Sequence, residues 1–68
     1  MLQFTLETEL EEDGRWIAEI PELPGVLAYG QTEQEAIMRA EALGLRVIAE
    51  RLESGEMPTA LQIEFTAA

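Results

Sequence analysis

GQTEQEAIMRAEALGLRVIAERLESG, residues 30–55, is the stretch that decides the fold, because it alone is long enough to carry a complete helical pattern. Thr32 precedes Glu35 by three positions, the spacing at which an N-cap hydroxyl and an acidic side chain satisfy each other's backbone donors. The pattern predicts a helix from Glu33 to about Glu53, with Gly55 at the C-terminal stop and Pro58 beyond it. At ~100° per residue, Ala36, Ile37, Ala40, Leu43, Gly44, Val47 and Ile48 fall in one broad apolar arc. That arc is the expected sheet-facing stripe, and Gly44 would let the backbone approach closely there. Met38, Ala42, Leu45, Ala49 and Leu52 form a second apolar arc on roughly the opposite side. Glu35, Arg39, Arg46, Glu50 and Glu53 fill a narrow polar sector, in which Glu35–Arg39 and Arg46–Glu50 are i,i+4 pairs.

Upstream of the helix the period changes from 3.6 to 2. Leu2, Phe4, Leu6 and Leu10 alternate with polar residues, and Thr8 interrupts the apolar row, which is the pattern of a half-buried strand. Glu11-Glu12-Asp13-Gly14 reads as a tight turn. Arg15 to Ile20 follows as a second strand, with Trp16, Ala18 and Ile20 on one face. Pro21-Glu22-Leu23-Pro24-Gly25 must be a loop, since its two prolines lack backbone donors. Val26 to Gly30 is a short third strand, and Gly14, Gly25 and Gly30 are each expected to serve a turn. Downstream, Leu61, Ile63 and Phe65 alternate with polar residues as a fourth strand. Tyr29 has no face assigned by this pattern. The order β-β-β-α-β implies one α+β domain over residues 1–68, a mixed four-stranded sheet with one helix on one face. The last strand should pair in parallel with an earlier one.

One layer of sheet cannot cover both apolar arcs of the helix. The second arc is therefore expected to bury itself in self-association, as a dimer or tetramer. Chains this short often need such reinforcement. Disulfides and the usual zinc ligand sets are excluded, because the sequence has neither cysteine nor histidine.

The same two absences leave little catalytic chemistry. The common general base and the best nucleophile are missing, and Ser54 is the only serine, at the helix end. Glu7, Glu9 and Glu19 could gather on the open sheet face and hold a hard cation. With fourteen acidic residues in sixty-eight, however, such gathering is expected by chance. No enzyme activity, metal or cofactor is expected. The net charge is −10 and lysine is absent, which disfavours direct binding to nucleic acid. The charge suits a basic protein partner instead. No leader and no membrane-spanning run stands out, so the expected location is cytoplasmic.

Two segments carry a family likeness. Residues 12–25, EDGRWIAEIPELPG, resemble the signature of HicB-like antitoxin domains: an acidic-Gly turn, an aromatic, an apolar-Ala-Glu-apolar strand, then Pro-Glu-Leu-Pro-Gly. Residues 30–36, GQTEQEA, are similar to that family's Gly-Asp-Thr-x-x-Glu-Ala helix start. The likeness spans most of residues 1–53. It departs at Val26, where the family usually has Cys, and at Gln31, where it usually has Asp. The resemblance implies a partial RNase H-like fold and an antitoxin role in a toxin–antitoxin system, masking a small basic RNA-cleaving toxin of the HicA kind. Full antitoxins continue into a C-terminal DNA-binding segment, so the expectation here is a short stand-alone member without one. Glu11, Glu12, Asp13 and Glu22 are the expected partner-binding residues, and Met38, Ala42, Leu45, Ala49 and Leu52 the self-association row. The competing readings are an orphan oligomer of the same fold and a small metal- or ligand-binding domain.

Overall fold

Five elements in the order β-β-β-α-β make up the computed structural model, which describes residues 1–59 and 62–68. They are β1 (Leu2–Leu10), β2 (Trp16–Glu19), β3 (Leu27–Gly30), α1 (Glu33–Ser54) and β4 (Ile63–Ala67). The sheet runs β3-β2-β1-β4, antiparallel except for the β1–β4 pair, which is parallel. The expected α+β class and the helix-covered mixed sheet are both present. Leu61, assigned by alternation to the last strand, lies outside the described residues. Among the described residues no helix is long and apolar enough to cross a membrane.

The first hairpin turns on three residues. Gly14 N–H donates to Glu11 O at 3.0 Å, and Glu11 N–H donates to Arg15 O at 2.8 Å. Gly14 has φ +90°, the left-handed residue that completes a three-residue hairpin loop. The Pro-Glu-Leu-Pro-Gly loop is two tight turns in succession. Leu23 N–H donates to Ile20 O and Val26 N–H to Leu23 O, each at 3.0 Å. Ile20 N–H then reaches Val26 O at 3.0 Å, so the ladder resumes across the loop. The double turn points Leu23 inward, where it is 1% exposed, and a residue read as loop belongs to the core.

Gly30 requires a correction. It does not turn the chain: it is the last residue of β3, buried, with no left-handed φ. A Cβ there would stand 2.5 Å from Ala36 N, so glycine is what lets the first turn of α1 lie on the strand.

The helix is capped largely as its sequence indicates. Glu35 N–H donates to Thr32 Oγ1 at 3.1 Å, while the Glu35 carboxylate accepts from Gln31 N–H at 2.9 Å, one residue earlier than a strict reciprocal box. Gly55, at φ +78°, donates to the carbonyls of Arg51 and Leu52 and closes the other end. The first apolar arc faces the sheet: Ala36, Ala40, Gly44 and Ile48 are buried, with Ile37, Leu43 and Val47 packed beside them. Those four buried residues form an i,i+4 row, which winds slowly round a helix of 3.6 residues per turn. Leu52 is its next member. It packs against the core, as does Met57, and thereby leaves the second arc to which a straight wheel assigned it. Met38 and Leu45 are 60% and 46% exposed, and Ala42 and Ala49 are exposed with them.

Candidate functional site

Backbone direction along β1 defines the site. Leu2 N–H donates to Gln62 O at 2.9 Å, and Leu6 O accepts from Ala68 N–H at 3.0 Å, so even-numbered residues of β1 turn their backbone groups toward β4. Odd-numbered residues turn theirs toward β2, as Glu11 and Thr5 confirm through their partners Arg15 and Glu22. Pairing with β4 stops at Leu6, opposite Ala67, but β1 continues to Leu10. By alternation, the N–H and C=O groups of Thr8 and Leu10 point to the side of β1 on which β4 lies. Among the described residues neither has a backbone partner on that side.

A groove of about 630 Å³ runs along this part of β1, with Thr8, Ala67 and Ala68 among its lining. Leu6, Ile17 and Ile37 give it apolar walls, and Glu7, Glu9, Glu11, Glu19 and Glu33 line it with carboxylates. No arginine is among its lining residues. Glu7 and Glu19 face each other directly across the β1–β2 ladder, an arrangement of like charges that destabilises a sheet. Thr8, which interrupts the apolar row of β1, donates its hydroxyl to Glu33 Oε2 at 2.7 Å and ties the start of α1 to the strand edge. Among the described residues, no three acidic side chains are placed to hold a metal ion together.

The arginines lie elsewhere. Arg15 binds Asp13 through Nε at 2.7 Å and lies over the Tyr29 ring, 4.4 Å from its centre. Tyr29 therefore belongs to the open face, next to Ile17. Arg39 pairs with Glu35 at 3.5 Å and donates from Nη1 to Tyr29 O at 3.0 Å, covering a carbonyl on the outer edge of β3. Arg46 and Glu50 do not close into an ion pair.

The four expected partner-binding acids divide. Glu11 lines the groove. Glu12 stays exposed at the hairpin tip, beside Glu11 and Asp13 round a second, shallower depression. Asp13 accepts from Arg15 N–H and Nε, and those two bonds hold its carboxyl below the usual range. Glu22 is separate from the hairpin. Its carboxylate accepts Thr5 N–H at 2.9 Å and the Thr5 hydroxyl at 2.7 Å, filling the place beside β1 that the Pro21–Gly25 loop vacates. The Thr5 bonds, the backbone one first, lower the Glu22 carboxyl from its ordinary 4.5.

A folded-state depression means that this carboxylate adds stability above its ordinary value, and that the contribution is lost as pH falls through the lowered one. Thermal unfolding of Glu22→Gln should therefore trail the wild type most near neutrality. The gap should close as pH is taken from about 6 to about 3. A gap that does not change over that range would remove Glu22 from this role.

Sequence reasoning missed the groove because it depends on register. No family model matches the chain, and no curated protein or solved structure matches it either.

Proposed function

We propose that this domain is a protein-binding module of the HicB-like antitoxin kind, acting in the cytoplasm without enzymatic activity of its own. It sequesters a small basic protein of the HicA-like, RNA-cleaving type. The observation that supports this reading is the segregation of charge round the β1 groove. Five glutamates line it without a cation, and Glu7 and Glu19 oppose each other at some cost to the sheet. A cationic partner converts that cost into attraction and speeds the encounter. Of the four arginines, Arg15 and Arg39 are already engaged on the β3 side.

Self-association belongs to the same reading. Met38, Ala42, Leu45 and Ala49 are spaced alike in both directions along α1. Two antiparallel copies would set Met38 against Ala49 and Ala42 against Leu45, large against small, as close packing favours. Sedimentation should give at least twice the single-chain mass.

Co-expression with a HicA-like basic protein is expected to restore growth that the toxin alone arrests. A variant with Gln at positions 7, 9 and 19 should fold normally and bind the toxin roughly 100-fold more weakly. No rescue by the wild type would refute the reading, and undiminished binding by the variant would refute the site.

A further inference from the structure

The face of the sheet turned away from the helix is divided. Along β1 it carries Gln3, Thr5, Glu7 and Glu9, the polar half of a clean alternation. β3 does not alternate in this way. Ala28 packs toward the helix, yet Leu27 and Tyr29 on the open side are apolar as well, 38% and 37% exposed. A strand that is apolar on both sides has the composition of one covered on both. Between them, Ile17 of β2 separates Tyr29 from Glu9, and Glu19 separates Leu27 from Glu7. The open face therefore passes from apolar over β3 to acidic over β1 within about 10 Å, two strand spacings.

We infer that this open face docks a basic amphipathic α-helix of a partner protein, its apolar stripe on Leu27, Tyr29 and Ile17 and its cationic flank over Glu7, Glu9 and Glu19. This rests on the reading of the domain as a module for basic proteins, and adds how the partner is held. β2 is bonded on both sides, to β1 and to β3, so a segment laid across it meets side chains and no free backbone. Such a segment must satisfy its own N–H and C=O groups, which an α-helix does internally. A helix is about 10 Å across, so one lying over β2 and β3 brings an arginine or lysine on its flank above β1. Apolar anchors give it contact area, and the acids fix which way round it lies. Arg15 borders the apolar row at its hairpin end, stacked 4.4 Å from the centre of the Tyr29 ring and paired with Asp13 at 2.7 Å. Charge decides the occupant. A second copy laid face to face carries the same net charge of −10 and would bring its own Glu7, Glu9 and Glu19 to a face that already holds them. Nucleic acid would bring phosphates to the same carboxylates.

The test uses the full chain and two stapled helical peptides of about five turns, identical in composition and charge. One carries its leucines in a single stripe flanked by arginines, and the other spreads them round the helix. Binding is followed at low salt by calorimetry, to the wild type and to the double variant Leu27→Thr, Tyr29→Thr, which keeps strand propensity and removes the apolar row. The striped peptide should bind the wild type at least about 10-fold more tightly than the other, and the double variant should hold both at the weaker level. Should the double variant unfold, Leu27→Thr alone gives the reading, with the preference reduced to about 3-fold. A preference that the folded variant keeps in full, or no preference in the wild type, would overturn helix docking on this face and leave the acidic module standing. Failure of both peptides to bind at low salt would overturn both.

Discussion

Gly30→Ala is expected to remove a large share of the domain's stability. The added Cβ would stand 2.5 Å from Ala36 N and 3.0 Å from the carbonyl carbon and Cβ of Glu35. The closest of those atoms is backbone, so no rotamer change relieves the contact. The first turn of α1 must lift off β3, and Ala36, fully buried, would lose its packing. Overpacking of this kind costs about 3 kcal/mol or more when it moves main chain. A domain of this size has roughly 3–10 kcal/mol of total stability. Gly44→Ala is the informative contrast. Its Cβ would meet Ile20 Cδ1 at 2.7 Å, the tip of a side chain, and replacing glycine within a helix recovers about 1 kcal/mol of propensity. Thermal melts followed by circular dichroism should place Gly30→Ala far below Gly44→Ala. A Gly30→Ala melting temperature within a few degrees of the wild type would show that the helix and strand are not held at this contact.

The contrast between the two glycines also marks what the sequence could disclose. Gly44 was legible because a helical wheel places it in the middle of an apolar stripe. Gly30 was not, since its role depends on a helix turn folding back over the strand that precedes it. The same division holds throughout. Thr32, Gly55 and the alternation of Leu2, Phe4 and Leu6 act through neighbours a few residues away, and each does in the structure what its spacing implies. Glu22 was grouped by charge with the hairpin acids as a partner-binding residue, yet its carboxylate is held by Thr5, seventeen residues distant. Leu52 looked exposed because a wheel is straight, whereas the buried row Ala36, Ala40, Gly44 and Ile48 winds toward it. The groove was the least legible feature of all. It gathers Glu7, Glu9, Glu11 and Glu19 from the first hairpin with Glu33 from the start of α1, and no run of neighbouring residues encodes that meeting.

Leu23→Ala is expected to cost about 3 kcal/mol, within the range of 2–5 kcal/mol for buried leucines. Few loop side chains would carry so much, and the reason lies in how the loop is built. Pro21 and Pro24 flank Leu23, and its own N–H and C=O serve the two successive turns through Ile20 and Val26. None of those bonds needs the side chain, so the loop should keep its path while the core loses three side-chain carbons, two of them methyls. The vacancy would open beside Gly44: Leu23 Cδ1 lies 3.6 Å from the point a Gly44 Cβ would occupy, with Ile20 and Val26 beside it. Small residues already line that stretch of α1, at Ala36, Ala40 and Gly44, so the helix itself offers no side chain to swing into the space. Urea unfolding should show a lower midpoint with an unchanged slope, because the surface exposed on unfolding hardly alters. Leu23→Met, which keeps the volume, should cost less than about 1.5 kcal/mol. Affinity for a basic partner, measured well below the melting temperature, should stay the same in both variants, since Leu23 is not among the residues lining the β1 groove. A loss under 1 kcal/mol for Leu23→Ala would mean that the loop can collapse onto the helix and that Leu23 is not the plug its burial implies.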